Sequence, residues 1–142
     1  MAAVKTIGLE EHFVTTDVLH AWRELDRPAM APLGEDEMAR RLAELGDMRL
    51  SAMADTGLDV AVLSLTTPGV QNLPAGESVA LQTTCNDLVA ETVRAHPEKL
   101  QGFATLATPD PTEAARELER AVTALGLNLN PPMRRVTKNL II

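Results

Sequence analysis

The chain has 142 residues, of which 45% are apolar and 23% are charged, with one tryptophan, two phenylalanines and no tyrosine. This size and composition predict one domain, 1–142, and exclude a disordered chain or a collagen-like repeat. The 13 basic and 20 acidic residues give a net charge of −7, which disfavours nucleic acid as a partner. No apolar run approaches the ~20 residues of a membrane helix, and the first residues lack the apolar stretch of a signal peptide. We therefore expect no membrane partner and a cytoplasmic protein.

Strand-like and helix-like segments alternate three times along the chain. The strand-like segments are residues 4–11, 60–65 and 101–107. The second of them is a nearly unbroken apolar run, which is typical of parallel strands buried on both faces. Three strand–helix units in succession predict parallel strands joined by right-handed crossovers.

Apolar residues repeat at helical spacing in three segments that follow the strands. An irregular, proline-rich segment is expected between the first strand and the first of these helices. The third helix is the best marked, because Asp110 is a typical N-cap, Pro111 suits the first helical position and Glu113 can reach back to the cap. Its predicted buried positions are Ala115, Leu118, Val122 and Leu125.

Two architectures are built from such strand–helix units. A doubly wound nucleotide-binding fold needs a glycine-rich turn directly after the first strand, but here that strand leads into the sequence EEHF. A complete (β/α)₈ barrel needs about 250 residues. We therefore predict an α/β fold that is an incomplete (β/α)₈ barrel, with about three βα units, whose functional residues lie at the C-terminal ends of the strands.

Glu10 and His12 are the most informative pair of residues in the sequence. On a regular strand, residues two apart point to the same side, so Glu11 between them should turn the other way. A carboxylate and an imidazole that project together can bind one divalent cation, either zinc or manganese. The same triplet also fits a surface acid beside a hydrogen-bonded histidine, so the spacing alone leaves both interpretations open.

Three other residues receive structural interpretations. Cys85 excludes an internal disulfide because it is the single cysteine, and its place on an apolar helix face predicts a buried thiol. His20 is expected to face solvent. Trp22 fits either ordinary packing or a loop that covers a substrate.

Several blocks of the sequence carry a resemblance to a known family. The blocks IGLEEHF at 7–13, RLSAMADTGLD at 49–59, LSLTTPGVQ at 63–71 and DP at 110–111 occur in that order. They resemble the metal-dependent aromatic-acid decarboxylases of the amidohydrolase superfamily, the gamma-resorcylate decarboxylase group. The resemblance covers about residues 5–127.

The resemblance implies that Glu10 and His12 bind a divalent metal, with a histidine and an aspartate from later strands of a (β/α)₈ barrel. It also implies non-oxidative decarboxylation of a hydroxybenzoate-type aromatic acid, with the aspartate protonating the ring carbon. More typical hydrolytic relatives carry H-x-H where this chain has E-x-H, so Glu10 favours decarboxylation. Candidate residues near the substrate are Thr66 and Thr67, which follow the second strand, and Asn130 in the atypical tail 127–142.

The later histidine and aspartate are absent from these residues. We therefore interpret the sequence as the truncated or altered N-terminal portion of a longer product, without a catalytic residue of its own and inactive alone. An open arc of strands leaves an unpaired edge and an uncovered inner face at 60–65, which predicts a homo-oligomer or a self-associating fragment. Two further functions stay open: a metal-dependent hydrolase on the same barrel, and a non-catalytic α/β interaction module in which Glu10 and His12 have no role.

Overall fold

Three parallel strands form one sheet in a computed structural model that describes residues 5–25 and 37–127. The strands are β1 (Ile7–Phe13), β2 (Val60–Leu65) and β3 (Leu100–Gly102), and β2 lies in the centre. The helices within these residues are α1 (Thr16–Glu24), α2 (Glu37–Ala43), α3 (Asp47–Thr56), α4 (Ala75–Ala95) and α5 (Pro111–Thr123). The predicted succession of parallel strands and helices is confirmed. Asn130 and the rest of the tail beyond Leu127 lie outside the described residues.

The helices cover one face of the sheet. Side chains of paired residues on parallel strands share a face, and the register pairs Glu11 with Leu63 and Phe13 with Leu65. The buried core joins this face to side chains of α1, α3, α4 and α5, and it includes none of Ile7, Val60 or Val62. One covered face is expected of an arc of a barrel, whereas a doubly wound sheet is covered on both faces.

The other face of the sheet is open at β1. Ile7 and Leu9 are 47% and 49% exposed, whereas Val60 and Val62 of β2 are buried. The prediction of an uncovered inner face at 60–65 is therefore wrong for these two valines. The exposed apolar side chains lie instead on the edge strand β1.

The described part of the segment after β1 is helical over Thr16–Glu24 rather than irregular, which corrects the sequence prediction for these residues. Thr15 caps α1, because its Oγ1 accepts a hydrogen bond from the Val18 backbone N–H at 3.2 Å, and Asp17 lies in the first turn. Trp22 of α1 is buried, and its Nε1 donates to the Gly69 carbonyl oxygen at 2.7 Å. Trp22 therefore serves packing. β1 also ends later than the predicted strand 4–11, since it extends to Phe13.

The predicted start of α5 is confirmed, but its predicted buried positions hold only in part: Val122 and Leu125 are half-buried, and Leu125 packs against the core. Asp110 accepts a hydrogen bond from the Glu113 backbone N–H at 3.1 Å, and Pro111 begins the helix. Leu118 is 42% exposed. The buried residues are instead Ala114, Glu117 and Ala121.

The third strand is shorter than predicted and ends at Gly102. The backbone N–H groups of Thr105 and Ala107 bind the side chains of Asn86 and Gln82 on α4, at 2.6 Å and 2.7 Å. These two N–H groups donate to side chains of α4 rather than to carbonyl groups of a neighbouring strand. The strand pairing therefore ends at Gly102. In the same stretches of chain, no helix combines the length and the hydropathy that crossing a bilayer requires.

Candidate metal centre

The strand that carries the candidate ligands contains a β-bulge. Gly8 pairs with Ala61 and Glu11 pairs with Leu63, so β1 advances three residues while β2 advances two. Glu10 lies in this irregularity with a φ of 63°, in the left-handed region that favours glycine. Bulges change the direction of a strand locally, and backbone strain in a residue other than glycine is concentrated at functional sites.

The bulge affects the expectation that the side chains of Glu10 and His12 point to the same side of the sheet. His12 pairs with Ser64 and Glu11 pairs with Leu63, so these two neighbours lie on opposite faces of the sheet as predicted. Regular alternation does not hold between Glu10 and His12, because the extra residue of the bulge lies at Leu9 and Glu10. The expectation that Glu10 and His12 point to the same side assumed a regular strand, and the bulge removes that assumption at Glu10. Their common direction therefore stays a prediction.

Both candidate ligands are exposed at the end of β1 that faces the following loops. Within residues 5–25 and 37–127, neither the Glu10 carboxylate nor the His12 imidazole has a hydrogen-bond or salt-bridge partner. The alternative interpretation of His12 requires a hydrogen bond to its imidazole, and the described residues provide none.

A carboxylate oxygen and an imidazole nitrogen fit the donor preferences of a divalent cation such as manganese or zinc. No cluster of three or more His, Cys, Asp or Glu residues that could hold a metal occurs in the described ranges. A bound ion would need further donors from outside them.

The backbone at this end of β1 is held by three neighbours. The Thr66 N–H donates to the Phe13 carbonyl oxygen at 2.8 Å, and the Val14 N–H donates to the Leu42 carbonyl oxygen at 3.0 Å. The Arg49 guanidinium donates to the His12 carbonyl oxygen at 2.8 Å. The end of the strand is thus fixed to β2, α2 and α3 together.

The two candidate threonines follow β2. Thr66 is half-buried, and its backbone bond to β1 brings the β2 loop beside the candidate ligands. Thr67 is exposed, and no contact of its side chain with the site is shown in the described residues. Asn130 lies outside the described residues, so its predicted place near a substrate stays a prediction.

A cleft of about 840 Å³ opens between β1, α2 and α3, and Glu11, His12 and Arg49 are among the residues that line it. Sequence reasoning did not assign a role to Arg49. The available signal was its position at the start of the block RLSAMADTGLD, but no periodicity shows that its side chain reaches the end of β1.

Cys85 is confirmed as a buried structural thiol. Its Sγ lies 4.0 Å from Thr15 Oγ1. Burial raises the pKa of Cys85 to about 11, so the thiol stays protonated and unreactive at neutral pH.

The strain at Glu10 gives a first testable prediction. We expect Glu10→Gly to raise the free energy of unfolding by about 0.5–1 kcal/mol, because relief of the left-handed strain exceeds the entropy cost of a glycine. Glu11→Gly is the matched control, and it should lower that free energy, since Glu11 has no positive φ. Urea denaturation measures both variants. Equal destabilisation by the two substitutions would contradict strain at Glu10.

Comparison with known proteins gives a consistent family. A family model described as amidohydrolase matches residues 12–138. Gamma-resorcylate decarboxylase of Rhodococcus jostii is 37% identical over 122 residues, which cover 84% of this chain and 36% of that protein. The chain therefore spans about a third of the length of this curated relative.

Two crystal structures with similar folds contain bound manganese. That of 5-carboxyvanillate decarboxylase from Novosphingobium aromaticivorans, with 3-methoxy-4-hydroxy-5-nitrobenzoic acid, has a TM-score of 0.83 and 31% identity, over 89% of this chain and 41% of that chain. The structure of dihydroxybenzoic acid decarboxylase from Polaromonas sp., with the inhibitor 2-nitroresorcinol, has a TM-score of 0.73 and 35% identity. The match covers 89% of this chain and 37% of that chain. The predicted fold class, a partial barrel of about three βα units, is confirmed.

Proposed function

The chain belongs to the amidohydrolase family, and we propose that the protein is a metal-dependent, non-oxidative decarboxylase of a hydroxybenzoate-type aromatic acid. The observation that carries the proposal is the end of β1, where Glu10 and His12 are exposed without partners in the described residues. The names of the relatives, which are decarboxylases of hydroxylated aromatic acids, support the substrate class.

In this proposal Glu10 offers a carboxylate oxygen and His12 an imidazole nitrogen to the metal. Manganese is the preferred ion, because an oxygen donor beside an imidazole suits it and because two similar structures contain it. When bound, the ion would supply positive charge that holds the carboxylate and the neighbouring phenolic oxygen of the acid.

The residues of this chain have a limited part in the chemistry. Glu10 also reduces the positive charge of the site, which moderates its attraction for anions. The bonds from Thr66 and Arg49 to β1 keep the strand end in place while a ligand binds. The resemblance assigns the proton for the ring carbon to an aspartate of a later strand, and the chain spans about a third of the length of its curated relative. We therefore propose that the 142 residues alone do not turn over.

Release of CO₂ tests the proposal. The protein encoded by the natural gene is incubated with Mn²⁺ and either 2,6-dihydroxybenzoate or 5-carboxyvanillate, in parallel with the isolated 142-residue chain. We expect CO₂ release from the former that stops on chelation and returns with Mn²⁺, and none from the isolated chain. Hydrolysis of esters or amides without CO₂ release would favour a hydrolase, and the absence of metal binding would favour an interaction module.

A further inference from the structure

Arg49 near the start of α3 reaches the end of β1. Its Nη2 donates to the His12 carbonyl oxygen at 2.8 Å, and its Nε donates to the Glu44 carbonyl oxygen at 3.1 Å. One guanidinium thus joins a candidate ligand residue to the connection between α2 and α3. A planar group with several donors in fixed directions is well suited to such a bridge.

The other end of this bridge is also fixed. The Glu44 carboxylate accepts hydrogen bonds from the backbone N–H groups of Gly46 and Arg49, at 2.7 Å and 3.0 Å. Gly46 is the N-cap of α3 and has no side chain, so Glu44 caps the helix in its place. The backbone of Arg49 is therefore held by Glu44, independently of the contact between its side chain and His12.

The direction of the His12 carbonyl explains why an arginine is needed. Carbonyl groups of successive strand residues point to opposite sides, and that of Phe13 accepts from Thr66 on the β2 side. The His12 carbonyl therefore points toward the edge of β1, which has no strand partner in the described part of the sheet. Arg49 supplies the donor that a neighbouring strand would otherwise provide.

The charge of Arg49 suits this position. Burial lowers the pKa of Arg49, while Glu11 and Glu44 raise it. Arginine remains protonated in proteins, so a charge-assisted bond holds the carbonyl.

We propose that Arg49 is a positioning residue for the metal centre, which fixes the His12 backbone next to the Glu10 bulge so that both side chains keep ligand geometry. This inference rests on the proposed function, because it requires Glu10 and His12 to bind the metal. Groups that orient metal ligands in this way affect metal affinity about 10–100-fold when they are removed.

The test compares the dissociation constant for Mn²⁺ of four forms of the protein encoded by the natural gene, measured from water-proton relaxation well below the unfolding temperature. We expect Arg49→Ala to weaken Mn²⁺ binding about tenfold. Arg49→Lys should recover part of the loss, because a single ammonium keeps the charge but not the two fixed directions. Arg120→Ala is the matched control, because it removes bonds to Glu117 and Asp87 on α5 and α4 and leaves β1 intact.

Each outcome has a distinct meaning. Full Mn²⁺ affinity in Arg49→Ala would overturn the positioning role and leave the proposed function standing. Equal weakening by Arg120→Ala and Arg49→Ala would trace the effect to lost stability and would also overturn it. Failure of the unaltered protein encoded by the natural gene to bind Mn²⁺ would overturn both proposals.

Discussion

Replacement of His12 with alanine is expected to weaken Mn²⁺ binding at the end of β1 and, under the proposed function, to abolish decarboxylation. The described residues offer two donors there, and one exposed carboxylate alone does not hold a divalent ion at low concentration. We expect the dissociation constant to rise at least about tenfold, which corresponds to about 1.4 kcal/mol. Paramagnetic broadening in proton NMR measures the loss directly, because it responds to weak binding as well as to tight binding.

The chain contains its own controls for this measurement. His20 and His96 are the other two histidines, on the surface of α1 and at the end of α4. In the unaltered chain, substoichiometric Mn²⁺ should broaden the ring protons of His12 before those of the other two. His20→Ala should bind Mn²⁺ as the unaltered chain does. Simultaneous broadening of all three histidines would show non-specific association and would contradict the metal centre.

Sequence patterns predicted the features that depend on local chemistry. The cap at Asp110 and the nearly unbroken apolar run of β2 are determined by neighbouring residues, and both are present as expected. Gly57 closes α3 in the left-handed conformation, with a φ of 71°, which glycine adopts at no steric cost. The candidate ligands Glu10 and His12 were also visible, because residue type and position at a strand end are local properties.

The sequence could not predict features that depend on distant partners. The bulge at Glu10 arises from the register between β1 and β2, which pairs Gly8 with Ala61 and Glu11 with Leu63. Alternation assumes a regular strand, so it cannot detect one extra residue.

Part of the buried face of α5 was missed for a related reason. A charged Glu117 is assigned to the surface by any apolar pattern, yet it is only 6% exposed. Its carboxylate accepts hydrogen bonds from Asn86 and Arg120, and such pairing is the condition under which a charge can be buried.

Asn86 of α4 is the centre of this buried polar network. Its Nδ2 donates to the Thr105 carbonyl oxygen at 2.9 Å and to Glu117 Oε1 at 2.8 Å, and its Oδ1 accepts from the Thr105 N–H at 2.6 Å. The Asn86 side chain is fully buried. One amide therefore joins α4, α5 and the segment that follows β3.

Asn86→Ala is expected to lower the free energy of unfolding by about 3 kcal/mol. The substitution leaves both backbone groups of Thr105 and one carboxylate oxygen of Glu117 without this partner, and an unsatisfied buried group costs about 1–3 kcal/mol. Asn86→Asp keeps the size of the side chain but removes both Nδ2 donors and adds a carboxylate beside Glu117, so it should be at least as destabilising. Denaturant unfolding monitored by circular dichroism measures both variants.

The neighbouring Asp87→Ala separates the buried network from its surface extension. Asp87 accepts a hydrogen bond from Arg120 at 2.7 Å, but its side chain is 52% exposed, and exposed ion pairs contribute about 0–1 kcal/mol. We expect Asp87→Ala to lower the free energy of unfolding by less than about 1 kcal/mol.

The segment after β3 lies at the same end of the sheet as Glu10 and His12, because the C-terminal ends of parallel strands meet there. A small effect of Asn86→Ala, equal to that of Asp87→Ala, would mean that this segment is held by its apolar contacts instead of by the amide.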